Sequence, residues 1–313
     1  MKEKENVLKV KTKKKFIGSE AFWCYVMLAL PVIGFVVLKV YPLLWTFRWS
    51  FYNYNGIPSQ TRFVGLRNFK TIFTVDFTYW KLWGNTLLFA LIKLPIELVL
   101  AMGLAVLLDK RLKGSGFFQA IYFLPNVIST AIIGLIMSNM FKHNGIINNL
   151  LMNVGLIEGP VSWFASKGTA IATVVVATTW AHFGTNVLYV LAALSNVPNE
   201  LYESASIDGA SSFRQFFSIT LPMIAPVFQT ILLLAILNAL SLNEMIMVLT
   251  NGGPYGQTNT VMSYIYTKFV PAFADSTTPD IGYGCAMSFL TTVIYAAIAL
   301  GYNKISKKMK QAY

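Results

Sequence analysis

Six long apolar runs punctuate the chain, at about 21–46, 85–108, 117–140, 169–194, 219–243 and 282–303. Roughly 20 apolar residues, rising 1.5 Å each, cross the ~30 Å hydrocarbon layer of a bilayer, and each run is about that long or longer. Lipid cannot satisfy exposed backbone N–H and C=O groups, so each run is expected to be a helix. The pattern predicts an all-α integral membrane protein with six transmembrane helices spanning 21–303, a basic tail over 1–20 and another over 304–313.

The connecting segments alternate in character. Those at about 47–84, 141–168 and 244–281 are long and carry turn signals such as Asn144-Gly145 and Asn251-Gly252-Gly253-Pro254. On the other side, Asp109 to Gly116 is short, while Ser195 to Ser218 keeps Leu201, Tyr202, Ala205, Ile207 and Phe213 at broadly helical spacing among Glu200, Glu203, Asp208 and Arg214. Such a loop reads as an amphipathic helix made to meet a partner.

Composition narrows the class. Apolar residues make up 55% of 313 positions and charged residues 12%, with a mean hydropathy of +0.57. Soluble domains carry roughly 25% charge. The formal charge of +12 is placed for a membrane and not for nucleic acid. Lys2, Lys4, Lys9, Lys11, Lys13, Lys14 and Lys15 precede the first apolar run, and Lys304, Lys307, Lys308 and Lys310 follow the last. With Lys110, Arg111, Lys113 and Arg214, one side holds fifteen cationic residues and the other eight, which predicts cytoplasmic termini. A signal peptide shares the basic-then-apolar order, but the first run is long enough to span and no small-x-small cleavage site follows it. Trp45, Trp49, Tyr52, Tyr54, Trp80 and Trp83 gather around the first outer loop, as an interfacial aromatic belt does. Cys24 and Cys285 lie inside apolar runs and read as small buried hydrophobes.

At the second inner loop a family becomes recognisable. Glu203-Ser204-Ala205, three residues, Gly209, nine residues, then Ile219-Thr220-Leu221-Pro222 resembles the cytoplasmic Glu-Ala-Ala, Gly, Ile-x-Leu-Pro signature of ABC importer permeases. Phe63-Val64-Gly65-Leu66-Arg67-Asn68-Phe69, Tyr122-Phe123-Leu124-Pro125 and Leu249-Thr250-Asn251-Gly252-Gly253-Pro254 are similar to carbohydrate permeases of the maltose and glycerol-phosphate type. The resemblance implies a type I ABC importer permease fold in a bacterial inner membrane. It also implies a second homologous permease subunit, two ABC ATPase domains that bind ATP and Mg, and an extracytoplasmic sugar-binding protein. No cofactor is expected on this chain itself. In such permeases the loop is a coupling helix seated in a cleft of the ATPase, which here implicates Tyr202, Glu203, Ser204, Ala205, Asp208, Gly209, Ala210, Leu221 and Pro222. From the residues alone, Pro198 opens a helical stretch, Gly209 supplies a tight turn, Glu203 and Asp208 offer acid groups to a basic pocket, and Leu201, Tyr202 and Ala205 can fill a groove. Pro222 sits near the start of the next helix, where a missing N–H costs little. The competing reading, a helix lying on lipid, fits poorly because an acidic face is repelled by an anionic leaflet.

Polar residues inside membrane helices usually face a bundle interior or a pathway. Thr178, His182, Thr185 and Asn186 recur three and four apart, one above another. Asn238 shares a helical face with Ala235, Ala239 and Leu242, and Ser241, Asn243 and Glu244 lie nearer the outer end. By the resemblance, Thr178, Ala181, His182, Thr185, Asn238, Ala239 and Leu242 fall where maltose-type permeases line a sugar cavity. The alternative is structural: Thr bonding its own backbone, and His or Asn bridging neighbouring helices. Lys93 and Glu97, four apart around Pro95, read as a self-neutralising pair or as a proton relay. There is no phosphate-binding Gly-rich loop ending in Lys-Ser or Lys-Thr, so ATP hydrolysis is expected on a separate subunit. Ion-driven secondary transport, leaning on Lys93, Glu97 and His182, and a non-transporting scaffold are the other functional readings.

Overall fold

A computed structural model describes residues 20–109, 114–273 and 278–310, so the basic N-terminal tail and the cationic cluster at 110–113 lie outside the described residues. The first apolar run forms α1 (Glu20–Phe35) and α2 (Tyr41–Trp49), joined by a wide turn over Val36–Val40 into one span, Phe22–Trp49. That turn has a local cause. Pro42 has no N–H to donate, and Tyr41 just before it reaches back five residues to the Val36 carbonyl. The same device recurs before Pro222, where the Leu221 N–H reaches the Phe216 carbonyl.

After the first span comes a short hairpin, β1 (Tyr52–Asn53) against β2 (Arg62–Phe63), and then α3 (Arg67–Thr74). The second run extends outward from its predicted bounds as α4 (Phe77–Asp109), carrying Pro95 in its interior. The third run departs from expectation. It is split into α5 (Ser115–Val127) and α6 (Thr130–Met140), bent by 98° at Ile128 and Ser129, which are extended. Asn126, Val127, Ile128 and Ser129 are a run of poor helix formers just after Pro125, and hydropathy averaged over a span does not see them. The remaining elements are α7 (Ile146–Asn153), α8 (Lys167–Leu194), α9 (Asn199–Ile207), α10 (Ser212–Gln215), α11 (Leu221–Leu240), α12 (Glu244–Leu249), α13 (Val261–Phe269) and α14 (Ile281–Lys310). Among the described residues five helices are long and apolar enough to cross a membrane, and the bent pair makes a sixth if it is one span. The C-terminal boundary at 304 also shifts: Lys304, Lys307 and Lys308 are exposed on the last turns of α14 and not in a separate tail.

The bundle is centred on α4, α8 and α11, with α5 pressed against α8 so closely that a Cβ at Gly184 would lie 2.1 Å from the Tyr122 carbonyl oxygen. Its core has two storeys. Phe89, Ile133, Val174, Ala177, Ala181 and Ile246 form part of the outer one; Ala101, Ala105, Val187, Val190, Ile224 and Ile231 form part of the inner one. Cys285 is buried as expected, but Cys24 is exposed on α1, a helix that packs little against the rest of the chain.

Polar side chains pin the outer loops. Asn68, from the Phe63–Phe69 motif, donates to the carbonyls of Ser50 (2.9 Å) and Tyr52 (3.0 Å). Asn148 donates to the His143 and Val161 carbonyls, both at 2.9 Å, and accepts from the Trp163 indole at 2.9 Å. The expected aromatic belt is a contact chain, with Trp49 stacked on Tyr54 at 4.1 Å and tilted against Trp45 at 5.7 Å.

Candidate functional site: a polar cavity between the storeys and an exposed helical loop

Two places in the fold combine unusual chemistry with access. The first is the loop between α8 and α11. Pro198 caps α9 with extended geometry, and α9 ends at Asp208 and Gly209, whose φ of +75° is a left-handed conformation that glycine adopts without strain. The turn frees α10 to run on through the Phe216–Thr220 turn into α11 as one continuous helical rod. Pro222 is the second residue of α11, as expected, and the rod runs on through it because the Leu221 N–H reaches the Phe216 carbonyl.

The loop's faces differ from the sequence expectation. Tyr202 turns inward: it packs under the inner storey, and its hydroxyl is 2.9 Å from Thr220 Oγ1. Ala205 and Ala210 are half-buried beside it. Outward-facing apolar surface comes instead from Ile207, 87% exposed, and Phe213, 76% exposed. Glu203, Ser204 and Asp208 are exposed around them. A short helix has one inward face, and here the ring large enough to reach the bundle takes it.

The second place lies between the two storeys. Lys93 and Glu97 on α4 form an ion pair, Nζ to Oε2 at 3.1 Å, each 2% exposed. Lys93 also donates to Asn238 Oδ1 on α11 at 2.9 Å, and Asn186 Nδ2 on α8 donates to Glu97 Oε1 at 2.8 Å. Along α4 and α8 this network separates the outer apolar cluster from the inner one, and on α11 Asn238 lies beyond Ile224 and Ile231 of the inner one. A lone charge at such depth is costly, so pairing and amide contacts are required of it.

Two cavities border the network. One of about 300 Å³ is lined by Glu97, Asn126, His182, Thr185, Asn186 and Asn238 among others. Its neighbour, about 200 Å³, shares His182 and Asn238 and adds Thr130, Thr178, Leu242 and Glu244. Of the predicted substrate residues, His182, Thr185, Asn238, Thr178 and Leu242 thus line the cavities. Thr178 does so with its hydroxyl turned onto the Val174 and Val175 carbonyls, at 2.7 and 3.1 Å. Ala181 and Ala239 are buried in helix packing, 2% and 1% exposed, and line neither cavity. Small residues there let helices approach closely.

Sequence reasoning missed three contributors. Asn126 and Thr130 reach the cavities because the α5–α6 break turns the chain beside them. The only sequence sign of the break was Pro125 followed by poor helix formers. Glu97 enters as a cavity wall, a role its i,i+4 spacing with Lys93 conceals. Among the described residues no cluster of three His, Cys, Asp or Glu could hold a metal.

A third cavity, about 490 Å³, opens among the outer loops beside Asp76, Arg67, Lys268 and Tyr283. Asp76 accepts from the hydroxyls of Tyr264 (3.2 Å) and Tyr283 (2.8 Å). Burial, and then the charge of Asp76, push the Tyr264 phenol above its ordinary value, so it stays a donor.

Comparison with known proteins agrees with this architecture. Residues 97–311 match the family described as binding-protein-dependent transport system inner membrane component. The trehalose/maltose transport system permease protein of Thermococcus litoralis is 33% identical over 290 residues, covering 92% of this chain and 95% of that one. The lactose transport system permease protein of Rhizobium radiobacter is 30% identical over 283 residues, covering 88% and 91%. Among solved structures, a chain of a bacterial ABC transporter involved in import of the acidic polysaccharide alginate superposes with a TM-score of 0.77 at 23% identity, over 92% of this chain and 96% of that one. The chain belongs to the binding-protein-dependent transport system inner membrane components.

Proposed function

We propose that this inner membrane component is a permease subunit of an ATP-driven ABC importer for a carbohydrate, most simply an oligosaccharide. Relatives named for lactose and for trehalose and maltose support the substrate class. An extracytoplasmic binding protein delivers the sugar at the outer loops, a second homologous permease completes the pathway, and two separate ATPase domains hold and hydrolyse ATP-Mg. This chain contributes no hydrolytic chemistry. The observation that carries the reading is the pairing of a polar intramembrane cavity with an exposed helical loop at the foot of one of its walls.

The geometry suggests how the two communicate. Outward Ile207 and Phe213, ringed by Glu203 and Asp208, suit a cleft with apolar floor and basic rim on an ATPase. Closure of the ATPases would displace α9 as a body. Tyr202 ties α9 to Thr220, and Thr220 leads directly into α11, which carries Asn238 to the cavity. Motion of the loop is thereby motion of the cavity wall. Since α11 and α14 cross in opposite directions, the loop and the basic end of α14 share one side, which the excess of cations makes cytoplasmic.

The ion-coupled alternative would use Glu97 to exchange protons, yet its carboxylate is engaged by Lys93 and Asn186. Proteoliposomes containing all subunits and the binding protein decide between them. Saccharide uptake is expected to require ATP and to survive ionophores that collapse ion gradients; uptake that stops with the gradient overturns the proposal.

A further inference from the structure

We infer that Glu97 is a saccharide-binding group of the cavity and that it selects neutral sugars over acidic ones; this rests on the importer reading above. The two members of the ion pair are not equivalent. Glu97 lines the cavity of about 300 Å³, whereas Lys93 is not among its lining residues. The ammonium stands behind the wall, so the wall itself presents an anion.

Each carboxylate oxygen has one partner and keeps further acceptor capacity. Oε1 accepts from Asn186 at 2.8 Å. Oε2 is ion-paired with the Lys93 ammonium at 3.1 Å and meets no other hydrogen-bond donor among the described groups. An ionised carboxylate only accepts, and it forms short, strong bonds with hydroxyl donors. A sugar hydroxyl that reaches Glu97 from the cavity supplies such a donor to a lone pair that Lys93 and Asn186 leave unused.

Lys93 shapes the rest of the wall. By donating to Asn238 Oδ1 at 2.9 Å it occupies that oxygen and leaves the Nδ2 protons, which meet no described acceptor, for a ligand. The side chains of His182 and Thr185 border the same space and hydrogen-bond to no described group. An anionic acceptor beside an amide donor matches a saccharide, each of whose hydroxyls both donates and accepts. A uronic acid would bring a second carboxylate against Glu97 where little water separates them, and like charges at such range repel. A pair serving structure alone would be sealed in helix packing on both sides; here the acid borders the cavity and the base does not.

The test uses the complete transporter, purified without its binding protein, so that only the cavity discriminates. Tritiated lactose, trehalose and maltotriose are each compared with the same sugar oxidised at a primary alcohol to the uronic acid. The wild type is expected to bind at least one neutral sugar about tenfold or more tightly than its acid, and Glu97→Gln to erase most of that ratio by weakening the neutral sugar. If Glu97→Gln fails to assemble because Lys93 is left charged, the paired Lys93→Met, Glu97→Gln variant, which is neutral on both sides, is measured instead. A wild type that binds the acids as well as the neutral sugars overturns the inference without any variant. So does an assembled variant with the wild-type ratio. A wild type that binds no saccharide and shows no ATP-driven uptake removes the importer reading itself, a result distinguishable from failure of Glu97 alone.

Discussion

Two acid-centred clusters in this protein use nearly the same groups to opposite ends. At the outer face Asp76 caps α4 through the Tyr79 N–H at 3.0 Å and takes the phenols of Tyr264 and Tyr283, while Lys268 stands 4.4 Å above the Tyr264 ring. Each carboxylate oxygen is used, and α3, α4, α13 and α14 are stapled together. Between the storeys Glu97 meets a lysine and an amide and also borders a cavity, where the side chains of His182 and Thr185 hydrogen-bond to no described group. Residue types do not separate a staple from a contact surface. What separates them is how many lone pairs and protons remain unspent where a ligand can reach.

Three substitutions would break or sharpen that contrast. The largest effect is expected from Lys93→Ala, which leaves Glu97 charged and alone at membrane depth; losing one partner of a buried pair costs about 3–5 kcal/mol. The purified transporter should melt markedly earlier or fail to assemble. A variant as stable as the wild type would show that the network carries no structural weight. Next comes Asp76→Ala, which strips an N-cap and removes the acceptor of two half-buried phenols, at about 1 kcal/mol for each hydrogen bond lost. Thermal stability should fall while saccharide affinity of the assembled transporter holds; a changed affinity would mean the outer cluster is more than a staple. The smallest effect belongs to His182→Phe, which keeps ring volume and removes both ring nitrogens. Stability should shift by less than about 1.5 kcal/mol. Cavity affinity should drop about three- to tenfold, the weight of one hydrogen bond. Equal affinity would remove His182 from the site.

Much of this was open to reading in the chain. The apolar runs located the five long spans among the described residues, because lipid imposes a length and a composition that a local window can count. Pro198, the Gly209 turn and the spacing to Leu221 marked the helical loop, because capping and turn chemistry act over a few residues. The orientation of that loop was not legible. Tyr202 and Ile207 belong to the same apolar series, and only the inner storey above them determines which is drawn in. The polar stripe on α8 was recognised, yet its members divide between backbone self-bonding at Thr178, a bridge at Asn186, and free cavity groups at His182 and Thr185.

Local sequence, then, settled that the chain enters the membrane and where the helical loop after Pro198 starts and turns, since each depends on neighbours a few positions away. Tertiary structure alone decided that Lys93 meets Asn238 across 145 positions and that Asn186 meets Glu97 across 89. It also decided that the third run breaks by 98° to bring Asn126 and Thr130 to the cavities. Those outcomes depend on which helices pack together and at what height, and a buried charge takes its meaning from what stands opposite it.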